Sequence, residues 1–208
     1  SRGELTQIGV LKSGERLMGE DLTAKGNSLY KNGIKVADGL SGLKAVQALS
    51  NGKYLVLCSA KSKGNILAVN VGCRALAIAP DYRFCVTGEE NTHHLISTMI
   101  DKTGNMQYSE PFYYLHDLSN GMLSPSGSMA FDIKGNLYVA TEMGVQVADH
   151  NGRVRAILSL PAGRVHSLAF SGHYLFVRCG ERLFVRQMKA EGHIPANGKV
   201  TYKSQGQG

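Results

Sequence analysis

The chain has 208 residues, 43% of them hydrophobic and 19% charged, with a formal net charge of +7. That balance excludes a disordered or low-complexity chain and is enough for one sizeable core. No apolar run reaches the length of a membrane span and no signal-type apolar region opens the sequence, although a leader already removed leaves no trace.

From the N-terminus, the first element is Leu5–Leu11 (LTQIGVL), predicted as an isolated strand. Five strand pairs follow. They are EDLTA with NSLYK, LKAVQALS with GKYLVLC, RALAIAP with YRFCVT, SMAFDI with GNLYVAT, and HSLAFS with GHYLFVR. The second strands start near Leu29, Tyr54, Phe84, Leu137 and Tyr174, at spacings of 25, 30, 53 and 37 residues. Most strands alternate or run apolar, and Gly, Asn, Asp and Ser punctuate them. No stretch sustains a helical period. The nearest rival, residues 42–50, is short and meets a turn signal at Asn51-Gly52.

Between Gly127 and Phe184 one pattern of strand, turn, strand, turn, strand occurs twice. A repeated unit of three or four strands is one blade of a β-propeller. The expected fold is therefore all-β, a propeller of about five blades (six as the alternative) over residues 1–190, with 191–208 as a loose tail. The last unit offers three strands. Lending it Leu5–Leu11 as an outer strand closes the ring and covers an exposed edge.

Three runs carry a family likeness: Ser128 to Asp149, Leu160 to Gly172, and Arg74 to Thr87 with the following Asp101 to Tyr114 segment. They resemble the senescence-marker-protein/gluconolactonase family, the regucalcin-like propellers. The resemblance covers the C-terminal two-thirds well and the first 45 residues poorly. Family members are six-bladed and longer. The resemblance implies a metal-dependent lactonase or esterase, with calcium or zinc held by a Glu, an Asn and an Asp at the starts of innermost strands. Such an ion needs oxygen ligands converging from several blades, and it polarises a carbonyl or activates water.

Carried over residue by residue, the pattern departs. Glu20 matches the Glu position loosely, without the family's proline. Arg74 stands at the Asn position and Gly127 at the Asp position. Arginine has only donors and glycine has no side-chain ligand. The expectation is a degenerate metal site and no cofactor. A divalent cation, calcium or zinc, with Glu20 as its ligand, is expected only if the site survives.

Starts of innermost strands and the loops between second and third strands share one face of a propeller. The predicted channel-mouth residues are Glu20, Lys44, Arg74, Ser128, His166 and Ser167, joined by the loop residue Glu142. Lys44, Arg74 and His166 suit an anion such as a sugar acid. The plainer alternative is that Arg74 pairs with Glu20 and fills the place of the ion. Two functions follow: a binding module for a sugar-derived or other small anion, or an active lactone hydrolase. Enzyme status is left open between them.

Other features are weaker. His93 and His94 are adjacent in a loop, where neighbouring side chains diverge. Cys58, Cys73, Cys85 and Cys179 form no C-x-x-C, so buried thiols are expected, with a disulfide at Cys73 left open. The basic residues are scattered and no nucleic-acid-binding motif occurs, so the expected partner is a small sugar acid or lactone. A periplasmic or secreted location is expected from the abrupt start, with the cytoplasm as the alternative.

Overall fold

The computed structural model describes residues 15–17, 22–49, 52–64, 66–69, 73–89, 92–116, 128–161 and 164–194, and their regular elements are all strands. Sheet 1 holds β1 (Glu15–Leu17), β2 (Leu22–Lys25), β3 (Ser28–Lys31) and β4 (Ile34–Ala37). Sheet 2 holds β5 (Ala45–Ala48), β6 (Tyr54–Leu57) and β7 (Ile66–Val69). Sheet 3 holds β8 (Cys73–Ile78), β9 (Phe84–Glu89), β10 (His94–Ile100) and β11 (Met106–Tyr114). Sheet 4 holds β12 (Met129–Phe131), β13 (Leu137–Thr141), β14 (Gly144–Ala148) and β15 (Val154–Leu158). Sheet 5 holds β16 (Ser167–Ser171), β17 (Tyr174–Cys179) and β18 (Arg182–Gln187).

The five sheets agree with the all-β propeller expectation, and all five predicted strand pairs form as antiparallel ladders. Leu5–Leu11 lies outside the described residues.

Alternation explains how the sheets stack. Every residue of β13 is buried, because its two faces serve different cores. Leu137 and Val139 join Ala75, Ala77, Val86 and Leu95 of sheet 3. Tyr138 and Ala140 join Leu168, Leu175 and Val177 of sheet 5. β6 does the same, with Leu55 and Leu57 packed on Leu76 and Ile78 of sheet 3, and Tyr54 and Val56 packed on Leu22, Ala24 and Leu29 of sheet 1. A strand buried on both faces reads as a continuous apolar run. The sheets therefore stack face to face in chain order.

The first strands β5, β8, β12 and β16 approach one another in succession and form the inner side. The end at which they start is the mouth end. Sheet 1 departs from the expected strand order. Leu40 N–H donates to Asn27 O (2.8 Å) and Ser59 N–H to Ser41 O (2.7 Å), which places the β2–β3 turn at the mouth end. β2 thus runs toward the mouth, as second strands do, and β1 is the first strand of the sheet. The segment EDLTA, expected as an innermost strand, is second because β1 precedes it.

Sheet 2 holds the one parallel pairing among the described strands, Tyr54↔Ile66 to Leu57↔Val69. Chain direction requires it. A four-stranded blade ends on a strand running toward the mouth, where the next inner strand begins. With three strands, β7 keeps that direction only by lying parallel to β6. β8 then starts after a short link, residues 70–72.

At the far end, three turns repeat one construction, Asp-x-x-Gly. The Asp101 carboxylate accepts from the backbone N–H of Thr103 (2.8 Å) and Asn105 (2.8 Å). Asp132 accepts from Lys134 and Asn136 (both 2.9 Å). Asp149 accepts from Asn151 (2.9 Å) and Arg153 (3.2 Å). The fourth residue has φ of 86°, 85° and 77° at Gly104, Gly135 and Gly152, a region that favours glycine. Asp132 is fully buried and also accepts from Asn136 Nδ2 (2.7 Å).

Residues 191–194, inside the segment expected to be a loose tail, are tied down. Ile133 N–H donates to Glu191 O, Gly192 N–H to Gly172 O, and His193 N–H to Phe131 O, at 2.8 to 2.9 Å. Gly192 lies against Phe170, where a Cβ has no room. The strap joins sheets 4 and 5 at the far end. Residues 195–208 lie outside the description.

Cys58, Cys73, Cys85 and Cys179 are all buried and free. Burial pushes the Cys85 thiol up to about 12 and also raises Cys73 and Cys179.

Asp132→Ala should cost about 2–4 kcal/mol in chemical denaturation, because it empties a buried carboxylate position and removes the acceptor of the part-buried Lys134 and Asn136 N–H groups and of the Asn136 amide. Asp101→Ala, at an exposed turn, should cost clearly less. The Thr103 hydroxyl and the Asn105 N–H hold the Asp101 carboxyl below its ordinary 3.8. Its contribution should be complete above that value and fade as pH falls through the lower folded one. A thiol-reactive disulfide reagent should leave the native chain unlabelled and label all four cysteines after unfolding.

Candidate functional site

The mouth end gathers the starts of inner strands. Lys44 immediately precedes β5, and its ammonium donates to Cys73 O (3.3 Å) at the start of β8. One cation thus bridges two inner strands. Arg74 is exposed in β8, where the register steps from Cys73↔Glu89 to Ala75↔Gly88 and skips it. A bulge of this kind re-aims a side chain at a strand start.

Ser128 is half-buried and structural. Its hydroxyl accepts from Leu168 N–H (2.6 Å) and donates to Leu168 O (3.2 Å). It clamps β12 to β16 and has its donor already engaged, so it is removed from the set of candidate ligand groups.

His166 precedes β16. Gly180 N–H in the β17–β18 turn donates to His166 Nδ1 at 2.9 Å. The neutral ring must then carry its proton on Nε2 and offers a donor there. Ser167 lies within reach of Arg178, whose Nε donates to its hydroxyl (3.4 Å) while Nη1 donates to Gly180 O (3.3 Å). The turn is therefore anchored to the inner strand from both sides.

Glu142, in the β13–β14 turn, pairs with Arg164, in the segment that leads into β16, at 3.4 Å. Both side chains are about half exposed. Arg164, His166, Cys179, Gly180, Glu181 and Arg182 line an open cavity of about 540 Å³. Its charged groups are two guanidiniums against Glu181, with Glu142 at the edge through its pair.

Of the expected residues, the structure associates Glu142, His166 and Ser167 through Arg164 and Arg178, and it joins Lys44 to the segment of Arg74. Glu20 lies outside the described residues, on the connection from β1 to β2. Arg164 and Arg182 were missed by the sequence reading. Arg164 stands two residues before His166, and that spacing was the available signal.

Glu20 and Gly127, two of the three positions that the resemblance assigns to a metal, lie outside the described residues. Among the described residues no three His, Cys, Asp or Glu side chains group together. The starts of β5, β8, β12 and β16 carry Lys44, Arg74, Ser128 and His166, and β1 opens on Glu15. His93 and His94 meet edge-on at 5.7 Å, and the Tyr114 ring lies tilted against them at 6.4 and 6.1 Å, as a surface ring cluster. No helix among the described residues is long and apolar enough to cross a membrane.

No family signature and no curated protein matches the sequence. Solved structures do match by shape. A gluconolactonase from Xanthomonas campestris superposes with a TM-score of 0.59 at 13% identity, over 82% of this chain and 68% of its own. Regucalcin from Agrobacterium tumefaciens, described as a calcium-binding protein, gives 0.53 at 15% identity, over 88% of this chain and 75% of its own. A luciferin-regenerating enzyme gives 0.53 at 16% identity, over 78% of this chain and 57% of its own. Against a further structure, described as a gluconolactonase, the match spans 75% of this chain and 49%, about half, of that chain's length. The chain has the β-propeller fold of the gluconolactonase and regucalcin structures.

Proposed function

We propose that the mouth end binds a small sugar-derived carboxylate or a comparable anion, at a place where the fold's metal-binding positions have been replaced. The observation that carries this reading is the cavity that joins Arg164, His166 and Arg182. All three offer donors, with His166 fixed by Gly180 as an Nε2 donor. A donor-rich cavity fits an acceptor-rich ligand, and a guanidinium grips a carboxylate with two parallel hydrogen bonds. Lys44 and Arg74, at neighbouring inner-strand starts, add positive potential.

Glu142 has a definite part here. Its pair with Arg164 is exposed and worth about 0–1 kcal/mol. Exchanging that partner for a ligand carboxylate therefore costs little. Glu142 keeps Arg164 in place before binding, and Glu181 disfavours ligands with excess negative charge.

The second reading, an active lactone hydrolase, draws on the fold shared with structures described as gluconolactonases. A metal, if bound, would supply carbonyl polarisation. No step is assigned to one, since the described residues do not form its ligand set.

Calorimetry with gluconate should show binding that weakens as salt rises. Arg164→Ala should weaken it about tenfold to a hundredfold, as for loss of a charge-assisted hydrogen bond. Glu142→Gln should bind more tightly than the parent. No gluconate binding, together with calcium- or zinc-dependent hydrolysis of a sugar lactone, would establish the hydrolase reading instead.

A further inference from the structure

The β17–β18 turn consists of Gly180 and Glu181, beyond the last ladder pair Cys179↔Arg182. Gly180 sits there at a φ of 60°, a conformation that favours glycine. Side chains, and not the ladder, satisfy its backbone groups. Its N–H donates to His166 Nδ1 at 2.9 Å, and its carbonyl accepts from Arg178 Nη1 at 3.3 Å. The His166 backbone is fixed separately, because its N–H donates to Arg178 O at 2.8 Å. The ring is thus the fixed post and the turn is the movable part.

The two tethers differ in their response to protons. A guanidinium keeps its charge and its donors throughout the pH range of folded proteins. An imidazole accepts at Nδ1 only while neutral, since the imidazolium carries a proton on both nitrogens. Protonated His166 would turn a donor toward the Gly180 N–H. The Arg178 contacts, at 3.3 and 3.4 Å, are long for hydrogen bonds and hold the turn less firmly than the 2.9 Å bond.

We propose that His166 is a proton-operated clasp: neutral, it holds the β17–β18 turn to the inner strand, and protonated, it releases the turn and opens the mouth cavity. Its use as a control on ligand access rests on the reading of the mouth as a binding site. The clasp itself does not.

The surroundings supply a distinct contact for each state, as a switch requires. The charged groups around the ring are Arg164 on its own connection, Arg178 on β17, and Glu181 and Arg182 at the turn, with Glu142 of the β13–β14 turn engaged by Arg164. The ties to the neighbouring sheet, Ser128 to Leu168 and Val165 N–H to Thr141 O, bring no charge. The three guanidiniums repel an imidazolium held among them. Glu181 attracts it and travels with the turn. Cys179 lines the same cavity immediately before the turn and is buried while the turn is held.

Nuclear magnetic resonance of the full chain without ligand tests the clasp, from about pH 8 to about pH 5, across the ordinary imidazole range. At the upper end the ring nitrogens should show the proton on Nε2. As the ring becomes imidazolium, Gly180 N–H exchange, corrected for its intrinsic pH dependence, should accelerate at least about tenfold. Leu168 N–H, held by the Ser128 hydroxyl at 2.6 Å, should keep its protection. Dithiodipyridine, which reacts at acid pH, should label Cys179 over the same interval and leave Cys58, Cys73 and Cys85 unlabelled. His166→Asn puts an amide oxygen near the place of Nδ1, so it should keep Gly180 protected and Cys179 unlabelled at both ends. A proton found on Nδ1 at about pH 8 would overturn the proposal, as would a ring still neutral at about pH 5. A Gly180 N–H that stays protected beside an imidazolium, or one that loses protection equally in His166→Asn, overturns it too. Absence of gluconate binding would remove the ligand reading and leave these outcomes unaffected, while a failed clasp leaves gluconate affinity as calorimetry finds it.

Discussion

Burial of single strands on both faces is the constraint on which the other features depend. β6 and β13 each send alternate side chains into two separate cores. No sheet can then be stable alone, because half of its apolar surface belongs to a neighbour. Each core is the size of one inter-sheet contact, and stability accumulates sheet by sheet. The inner strands come together at one end as a consequence, since stacked and twisted sheets keep their first strands adjacent. Lys44 and Cys73 meet for that reason, as do Ser128 and Leu168.

Local chemistry made much of this legible. Strand pairs could be read because alternation and Asp-Gly or Asn-Gly turns act over a few residues. LYVAT and YLVL were readable as strands because doubly buried strands are apolar throughout. β1 (ERL) was not, being short and polar, and its omission shifted EDLTA into the wrong place in sheet 1. The direction of β7 was also invisible, since it depends on the strand that is missing rather than on any residue present. At the site, His166 stood out by type and position. Arg182 did not, because it reaches the His166 cavity only after the β17–β18 hairpin folds back. Ser128 looked like a ligand group, and only its contact with Leu168, forty positions on, showed where its hydroxyl is used.

The two ends of the stack divide their work. The far end carries the Asp-x-x-Gly turns, whose carboxylates satisfy the backbone donors of tight corners. The mouth end carries longer or chemically varied connections, held by side chains such as Lys44, His166, Arg164 and Gln146. Gln146 shows how a buried amide serves that end. It donates to His116 O and accepts from His116 N–H, both at 2.8 Å, and fixes the chain as it leaves sheet 3. Fixed corners at one end free the other to vary in sequence without loss of the sheets.

The strap at residues 191–194 gives the inner side a floor. His193 packs edge-on against Tyr82 at 5.5 Å and, with Gln47, Ala77 and Phe131, bounds a space of only about 40 Å³ between β5, β8 and β12. That is room for a water molecule and little else. Among the described residues, the strap therefore closes the far side of the space between β5, β8 and β12.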